Sequence, residues 1–483
     1  MWPRPRYDVV VIGSGPNGLA AAVATARAGL ETLVVEANDT PGGGTRTSAL
    51  TEPGFLHDIC SSVHPLGLAS PWFRALELEQ LGLEWIQPTA PLAHVLPDGR
   101  AVTLERSIDD TAAQLGRDGS AYRDLVAPYA GRFDQLLEMI LGPLRLPTFP
   151  TLLARFGLDA IRSLQGLVRA KFVDAEAGAL LAGIAAHSMV PLDALATASI
   201  GLVLATAGHA VGWPLAKGGS RAISDALVAR LRKLGGDVVC GHRVERIDEL
   251  PPARAYMFDL TPRQLLAIAG DRLPTDYRAR LDHFRYGPGV FKLDWALRGA
   301  VPWRDPRCLR AATVHLSGTV ADVSRAERAV HQGMLAERPF VLFVQPTLFD
   351  PSRAPAGMHV AWAYCHVPHG SSIDATAAIE AHIDAFAPGF RDLIVGRHSM
   401  NAVEIESYNA NYIGGDINGG LSDARQLFTR PVARVDPYST PAHDIFLCSS
   451  STPPGGGVHG MCGYWAARSV LHRVFGKAAP ALA

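Results

Sequence analysis

The chain has 483 residues, 48% of them hydrophobic, and a formal net charge of -1. That length allows two or three domains with a large core, and the charge balance leaves no electrostatic footprint for nucleic acid. The six cysteines (Cys60, Cys240, Cys308, Cys365, Cys448 and Cys462) show neither C-x-x-C nor metal-ligand spacing. They read as reduced thiols in a reducing compartment, and no metal site is expected.

The opening "MWPRPRYDVVVIG" holds no apolar signal core, so no secretory signal is expected and the location reads as cytoplasmic. The run Val9–Ile12 has the apolar continuity of a fully buried parallel strand. Gly13, Gly15 and Gly18 follow in G-x-G-x-x-G spacing, then an alanine-rich helix that Gly29 ends, then a second strand finishing at Glu36. In such a unit the first glycine makes the tight turn, the second admits a pyrophosphate to the backbone, and the third lets helix and strand pack closely. The helix N-terminus, with Ser14, Pro16 and Asn17 in the turn, faces the phosphates. Glu36, with Ala37 beside it, stands where a ribose hydroxyl is accepted and a 2′-phosphate is repelled.

The next stretch, "EANDTPGGGTRT", has a glycine pair, Gly42–Gly43, six residues after Glu36, and Thr47 four beyond it. This resembles the FAD-containing phytoene desaturase and amine oxidase superfamily, whose pattern is E-x5-G-G-R-x-x-T. Gly44 stands where many members have arginine, and Arg46 does not inherit that role. The resemblance implies that Gly42, Gly43, Gly44 and Thr45 pass beside the flavin and pyrophosphate, and that "EPGFLHDICSSVHPL" brings Asp58, Ser61 and His64 near the site. It spans nearly the whole chain and is nearest to the phytoene-desaturase-like branch called pyridine nucleotide-disulfide oxidoreductase domain-containing protein 2. Neither a redox C-x4-C pair nor a second G-x-G-x-x-G follows, so no NAD(P)H domain is expected.

Residues 76–212 begin with a strand pair, "LAHVLP" and "AVTLERS", and then turn helical and apolar. Arg155, Arg162 and Arg169 are spaced by sevens, which predicts one basic helical face; a solvated face of a cap is the preferred reading, and peripheral membrane contact the other. The apolar stretch 196–213 reads as a buried helix, and His187 and His209 as core histidines. Gly218–Gly219 opens an amphipathic helix that leads to a strand "DVVCGHRVERI", from which the resemblance brings Val244 to the adenine. The β-meander usual after it is trimmed to "DELPPAR". Four runs, "GVFKLDWAL", "PFVLFVQP", "HVAWAYCHV" and "AVEIESY", predict an antiparallel sheet. In the first, the period of two puts Phe291, Leu293 and Trp295 on one face and Lys292 and Asp294 on the other. Lys292, followed by Trp303, resembles the lysine that holds a water at flavin N5 in several amine oxidases.

"NANYIGGDINGG" is similar to the segment that crosses from substrate domain to flavin, so Tyr412, Asp416 and Asn418 are candidates for the cavity wall. The last strand is "IFLC", and a helix is expected from about Val458. Between them "SSSTPPGGGVHG" matches the desaturase glycine loop, with Ser449 in place of a glycine and Ser450 in place of an aspartate. The resemblance places Ser450, Gly456, Gly457 and Val458 against the flavin and His459 near the substrate.

The expected fold is α/β: a Rossmann-type, glutathione-reductase-like FAD domain (residues 1–75, 213–270 and 431–483) and an interleaved α+β substrate domain with an antiparallel sheet and helical cap (76–212 and 271–430). The expected activity is an FAD-dependent oxidoreductase, a desaturase or dehydrogenase acting on CH–CH or CH–NH donors of a hydrophobic small molecule, with oxygen or a quinone as acceptor. An amine oxidase, a redox-neutral isomerase and a non-catalytic flavin- or lipid-binding protein stay open. His459, His64, Asp416 and Lys292 are the unranked catalytic candidates.

Overall fold

Val9, Val10 and Val11 have no exposed surface, because their strand has helices on both faces. The computed structural model describes residues 2–483. Tyr7–Ile12 lies at the centre of a five-stranded parallel sheet that runs Ile445–Leu447, Ala253–Phe258, Tyr7–Ile12, Thr32–Val35, Asp237–Val239. Val9 and Val11 face the helices Pro16–Arg27 and Met461–Phe475, while Val10 and Ile12 face a second cluster with Leu265 and Tyr277. The first and last helices cross where Gly463 meets Asn17: a Cβ on Gly463 would lie 1.8 Å from the Asn17 carbonyl oxygen. Gly463→Ala is therefore expected to lower stability by about 1–3 kcal/mol through overpacking, read as a lower Tm.

The second sheet has seven strands, in the order Ile394–Met400, Gly289–Leu297, His359–Val367, Val341–Val344, Ala311–Leu316, Ala90–Val95, Ala101–Leu104. It is mixed rather than antiparallel throughout, because Ala311–Leu316 runs parallel to Ala90–Val95. The alternation expected of "GVFKLDWAL" holds: Phe291, Leu293 and Trp295 enter a core shared with Ile379 and Ile383. The Lys292–Asp294 pair on its other face is buried as well.

Other local expectations are corrected. "AVEIESY" is a helix, Ala402–Tyr408, because Asn401 and Glu404 form a reciprocal capping box at its start. The strand after the 221–233 helix is only Asp237–Val239, since its partner ends at Val35; Val244 lies beyond it, buried against the sheet cluster. The arginine stripe is broken: helices Pro150–Ala160 and Leu164–Lys171 are separate, with Ser163 capping the second. The last helix begins at Met461, not Val458, because Gly460 takes φ 67° just before it. The apolar stretch forms the helix Thr197–Ala210, and among the described residues no helix is long and apolar enough to cross a membrane.

Candidate functional site

A cavity of about 930 Å³ runs between the N-terminus of the first helix, the glycine loop and the mixed sheet. Its floor follows from strand register. Asp294, Trp362, Val344, Thr313 and Leu92 form one cross-strand row, and Lys292, Tyr364, Leu342, His315 and His94 form the next. Trp362, Tyr364, Leu342, Val344 and Thr313 reach the cavity. Trp362 and Tyr364 are stacked, with centroids 6.0 Å apart and planes 19° apart. Met139, Phe156, Ile200 and Leu204 from the helical segment line the opposite wall.

At the other end lie Pro16, Asn17, Gly44, Ser450 and Gly455–His459. Asn17 Nδ2 donates to Ser450 Oγ at 3.3 Å, while Asn17 Oδ1 is buried with no partner. The Gly42–Gly43 loop docks on the dinucleotide turn: Gly42 N–H donates to the Ser14 carbonyl at 3.0 Å, and a Cβ on Gly43 would lie 2.9 Å from Gly15 Cα. Thr45 Oγ closes that loop on the Gly42 carbonyl at 2.7 Å. Gly44 is glycine for a reason the sequence does not show, since any Cβ there would meet the Tyr412 hydroxyl. Gly18 N–H donates to Asp259 at 2.9 Å, so the third glycine serves packing. Burial pushes the Asp259 carboxyl well above the usual range.

The second strand ends at Val35, one residue short of the expected Glu36, and the Glu36 carboxylate that follows it is well occupied. It accepts from Ser14 N–H and Oγ–H, from Asn38 N–H and Nδ2, and from Arg46 at 3.0 Å. Arg46 thus belongs to the Glu36 cluster. Burial alone would raise the Glu36 carboxyl, yet these donors hold it below its ordinary value.

The structure separates the four catalytic candidates. Asp416 is not on the cavity wall; it accepts from Gly287, Asn418 and Gly420 N–H at 2.7, 2.8 and 2.9 Å and so shapes the crossing loop. Lys292 is also off the wall, paired to Asp294 behind Trp362, 5.1 Å from that ring; Trp303 lies on the far face of the sheet with Gln345. His459 and His64 do line the cavity. His459 Nδ1 accepts from Met461 N–H at 3.0 Å, which puts its proton on Nε2. The Ser220 hydroxyl donates to the Ser61 carbonyl, so at 2.8 Å it accepts from His64 Nε2–H; His64 Nδ1 is left an unprotonated lone pair with no partner. Burial pushes both imidazoles down to about 4, so both are neutral at pH 7.

Ser61, Tyr412 and Asn418 reach the cavity, but Asp58 does not. Asp58 is fully buried behind it, paired with Arg353 at 3.0 Å and accepting from Thr47 Oγ, Ser220 N–H and Ser62 Oγ. Ser62 in turn accepts from Trp362 Nε1 at 3.0 Å. His209 is a core histidine, satisfied by Tyr122 at 2.7 Å. His187 is not: it lines the cavity, with Nε2 3.3 Å from His315 Nε2. The aromatic pair was also missed, although the period of two in "HVAWAYCHV" puts Trp362 and Tyr364 on one face.

Residues 8–61, which contain the dinucleotide turn, the second strand and the glycine loop docked on it, match the family model described as FAD dependent oxidoreductase. That segment carries the nucleotide-binding signature of the FAD-dependent oxidoreductases. It is 24% identical to the rat (Rattus norvegicus) pyridine nucleotide-disulfide oxidoreductase domain-containing protein 2, over 98% of this chain and 94% of that one. It is also 24% identical to a lycopene-forming phytoene desaturase of a Paracoccus species, over 94% of this chain and 95% of that one. An engineered putrescine oxidase shares the fold, with TM-score 0.60 and 18% identity over 97% of this chain and 99% of that one. FAD is the cofactor, and the residues present fit it: the unpartnered Asn17 Oδ1 and the run of bare backbone at Gly455–Gly457 face one end of the cavity.

Proposed function

We propose that this flavoprotein is a dehydrogenase or desaturase for a lipophilic small molecule. The observation that carries the reading is the cavity itself, whose wall between the glycine loop and the helical segment is mostly apolar side chains. Bound FAD would take a hydride at N5 from a substrate carbon. The dinucleotide turn from Gly13 to Gly18, with Glu36 and Ala37, holds the nucleotide half. Val244 would stand on the adenine side, and Gly44, Ser450, Gly456, Gly457 and Val458 would hold the flavin half. Trp362, Tyr364 and the apolar wall exclude water and aim the substrate C–H bond.

The best-placed base is His64. Its Nδ1 is free to accept the proton lost from the neighbouring carbon, whereas His459 has its Nδ1 occupied and serves as an Nε2–H donor. His64→Gln keeps a donor for Ser220 and removes the base. It is expected to slow flavin reduction about 10²–10⁴-fold in anaerobic stopped-flow while flavin content is unchanged.

The stacked Trp362–Tyr364 pair favours a second reading, an amine oxidase, in which such a pair frames the amine. Anaerobic bleaching of the flavin absorbance against fatty acyl, isoprenoid and amine compounds separates the two. Bleaching by amines alone would overturn the first reading, and bleaching by none would leave a binding protein. Peroxide released in air would mark oxygen as the acceptor, and its absence a quinone. The exposed Leu144, Ile161, Phe428 and Val435 also line the cavity, so its mouth is apolar and suited to peripheral contact with a lipid surface.

A further inference from the structure

Three charged side chains line the cavity, Arg145, Arg430 and Arg434, and among the described residues no aspartate, glutamate or lysine joins them. None of the three lies within 4.0 Å of a carboxylate oxygen among those residues.

Arg430 is the telling one. It is 1% exposed, donates only to the backbone carbonyls of Ser450, Gly420 and Leu421, at 3.0, 3.5 and 3.3 Å, and leaves its Nε buried without a partner. The glycine loop makes way for it, since a Cβ on Gly455 would lie 2.7 Å from its terminal nitrogen. A buried guanidinium without a counter-charge is costly unless an anion completes it. Asp416 and Asp423 act on it only from beyond ion-pair distance, and both are engaged elsewhere, Asp416 with three backbone N–H groups and Asp423 with Arg285 at 2.7 Å.

Arg145 stands nearer the mouth. It lies over the Trp465 ring at 4.6 Å and donates to the Glu138 carbonyl, and one of its terminal nitrogens is buried without a partner. Arg434 is exposed at the rim, over the Tyr277 ring at 5.4 Å.

We propose that the substrate is an anionic amphiphile: an apolar body held against Met139, Phe156, Ile200 and Leu204, and a carboxylate head received by Arg430, with Arg145 and Arg434 drawing it in. The unpartnered Nε–H of Arg430 can give a carboxylate a charge-assisted hydrogen bond, which a neutral or cationic head does not accept as strongly. The same wall repels an ammonium head and so disfavours amines. This inference names the substrate class of the proposed dehydrogenase.

The test is calorimetric titration of the FAD-loaded protein with dodecanoate, dodecanol and dodecylamine. Dodecanoate is expected to bind at least about tenfold tighter than either of the others. Arg430→Met is expected to erase that preference while dodecanol binding changes less than about twofold. The double variant Arg145→Met/Arg434→Met, altered nearer the surface, is expected to narrow the preference severalfold, and it keeps the test decisive should Arg430→Met misfold. Equal or tighter binding of dodecanol or dodecylamine by the wild-type protein would overturn the proposal. So would an Arg430→Met protein that sheds FAD on gel filtration yet keeps its acid preference, since the guanidinium would then serve the cofactor's phosphates. Tight dodecanoate binding without anaerobic bleaching by any compound would sink the dehydrogenase reading alone.

Discussion

On acidification from pH 7 to 4.5 the protein is expected to lose its cooperative thermal transition, well before most carboxylates are protonated. His57, His64, His94 and His459 are each at most 2% exposed, and burial pushes each down to about 4; burial also pushes His315 well below its ordinary value. In the unfolded chain a histidine titrates near 6.5. Below that pH the unfolded state binds protons that the folded state refuses, so stability is full above about 6.5 and falls as pH drops toward 4. Each such histidine contributes on the order of 3 kcal/mol to this loss. A typical domain has only about 5–15 kcal/mol in total, so two or three suffice. Calorimetry from pH 8 down to pH 4.5 checks this. A Tm at pH 5 within a few degrees of that at pH 7 would show that the imidazoles find protons or water on their own.

Asp58→Ala is expected to cost about 3–5 kcal/mol, because it leaves Arg353 buried and unpaired. Burial alone would raise the Asp58 carboxyl, but Arg353, Ser62 and Ser220 N–H hold it below the usual range, so it is charged at pH 7. The loss also spreads to the cavity. Ser62, released from Asp58, no longer orients Trp362, and Ser220, released likewise, no longer orients His64. A lower urea midpoint is expected, together with slower flavin reduction. Asp58→Ala/Arg353→Met should recover part of the midpoint, because the orphaned charge goes with it. A double variant no better than the single one would mean that the hydrogen bonds, not the ion pair, carry the effect.

Much of this protein was legible as text where one local stretch does the whole job. The turn Gly13–Gly18, the strand before Glu36 and the glycine loop each take their form from neighbours in sequence, through steric limits on φ and strand period. One error was local: "AVEIESY" has strand composition, but the capping box of Asn401 and Glu404, itself written in the sequence, makes it a helix. The others fell where a tertiary partner decides. The family resemblance puts Asp58 near the site; only the fold shows Arg353, nearly three hundred residues on, meeting it. Lys292 lies on the predicted face of its strand, yet its ammonium turns to Asp294 over the Trp362 ring and does not line the cavity.

By itself, the sequence determined the dinucleotide turn and the buried parallel strand that leads into it, since both are set by glycine placement and apolar period within a few dozen residues, while its resemblance to known flavoproteins carried the cofactor class. The tertiary structure alone decided what faces the cavity. Register across the mixed sheet brought Trp362, Tyr364 and Thr313 to its floor, and the glycine loop and the crossing loop met around Arg430. A side chain's charge is written in the sequence, but whether it finds a counter-charge depends on segments far apart in the chain, and that pairing exists only once they are folded together.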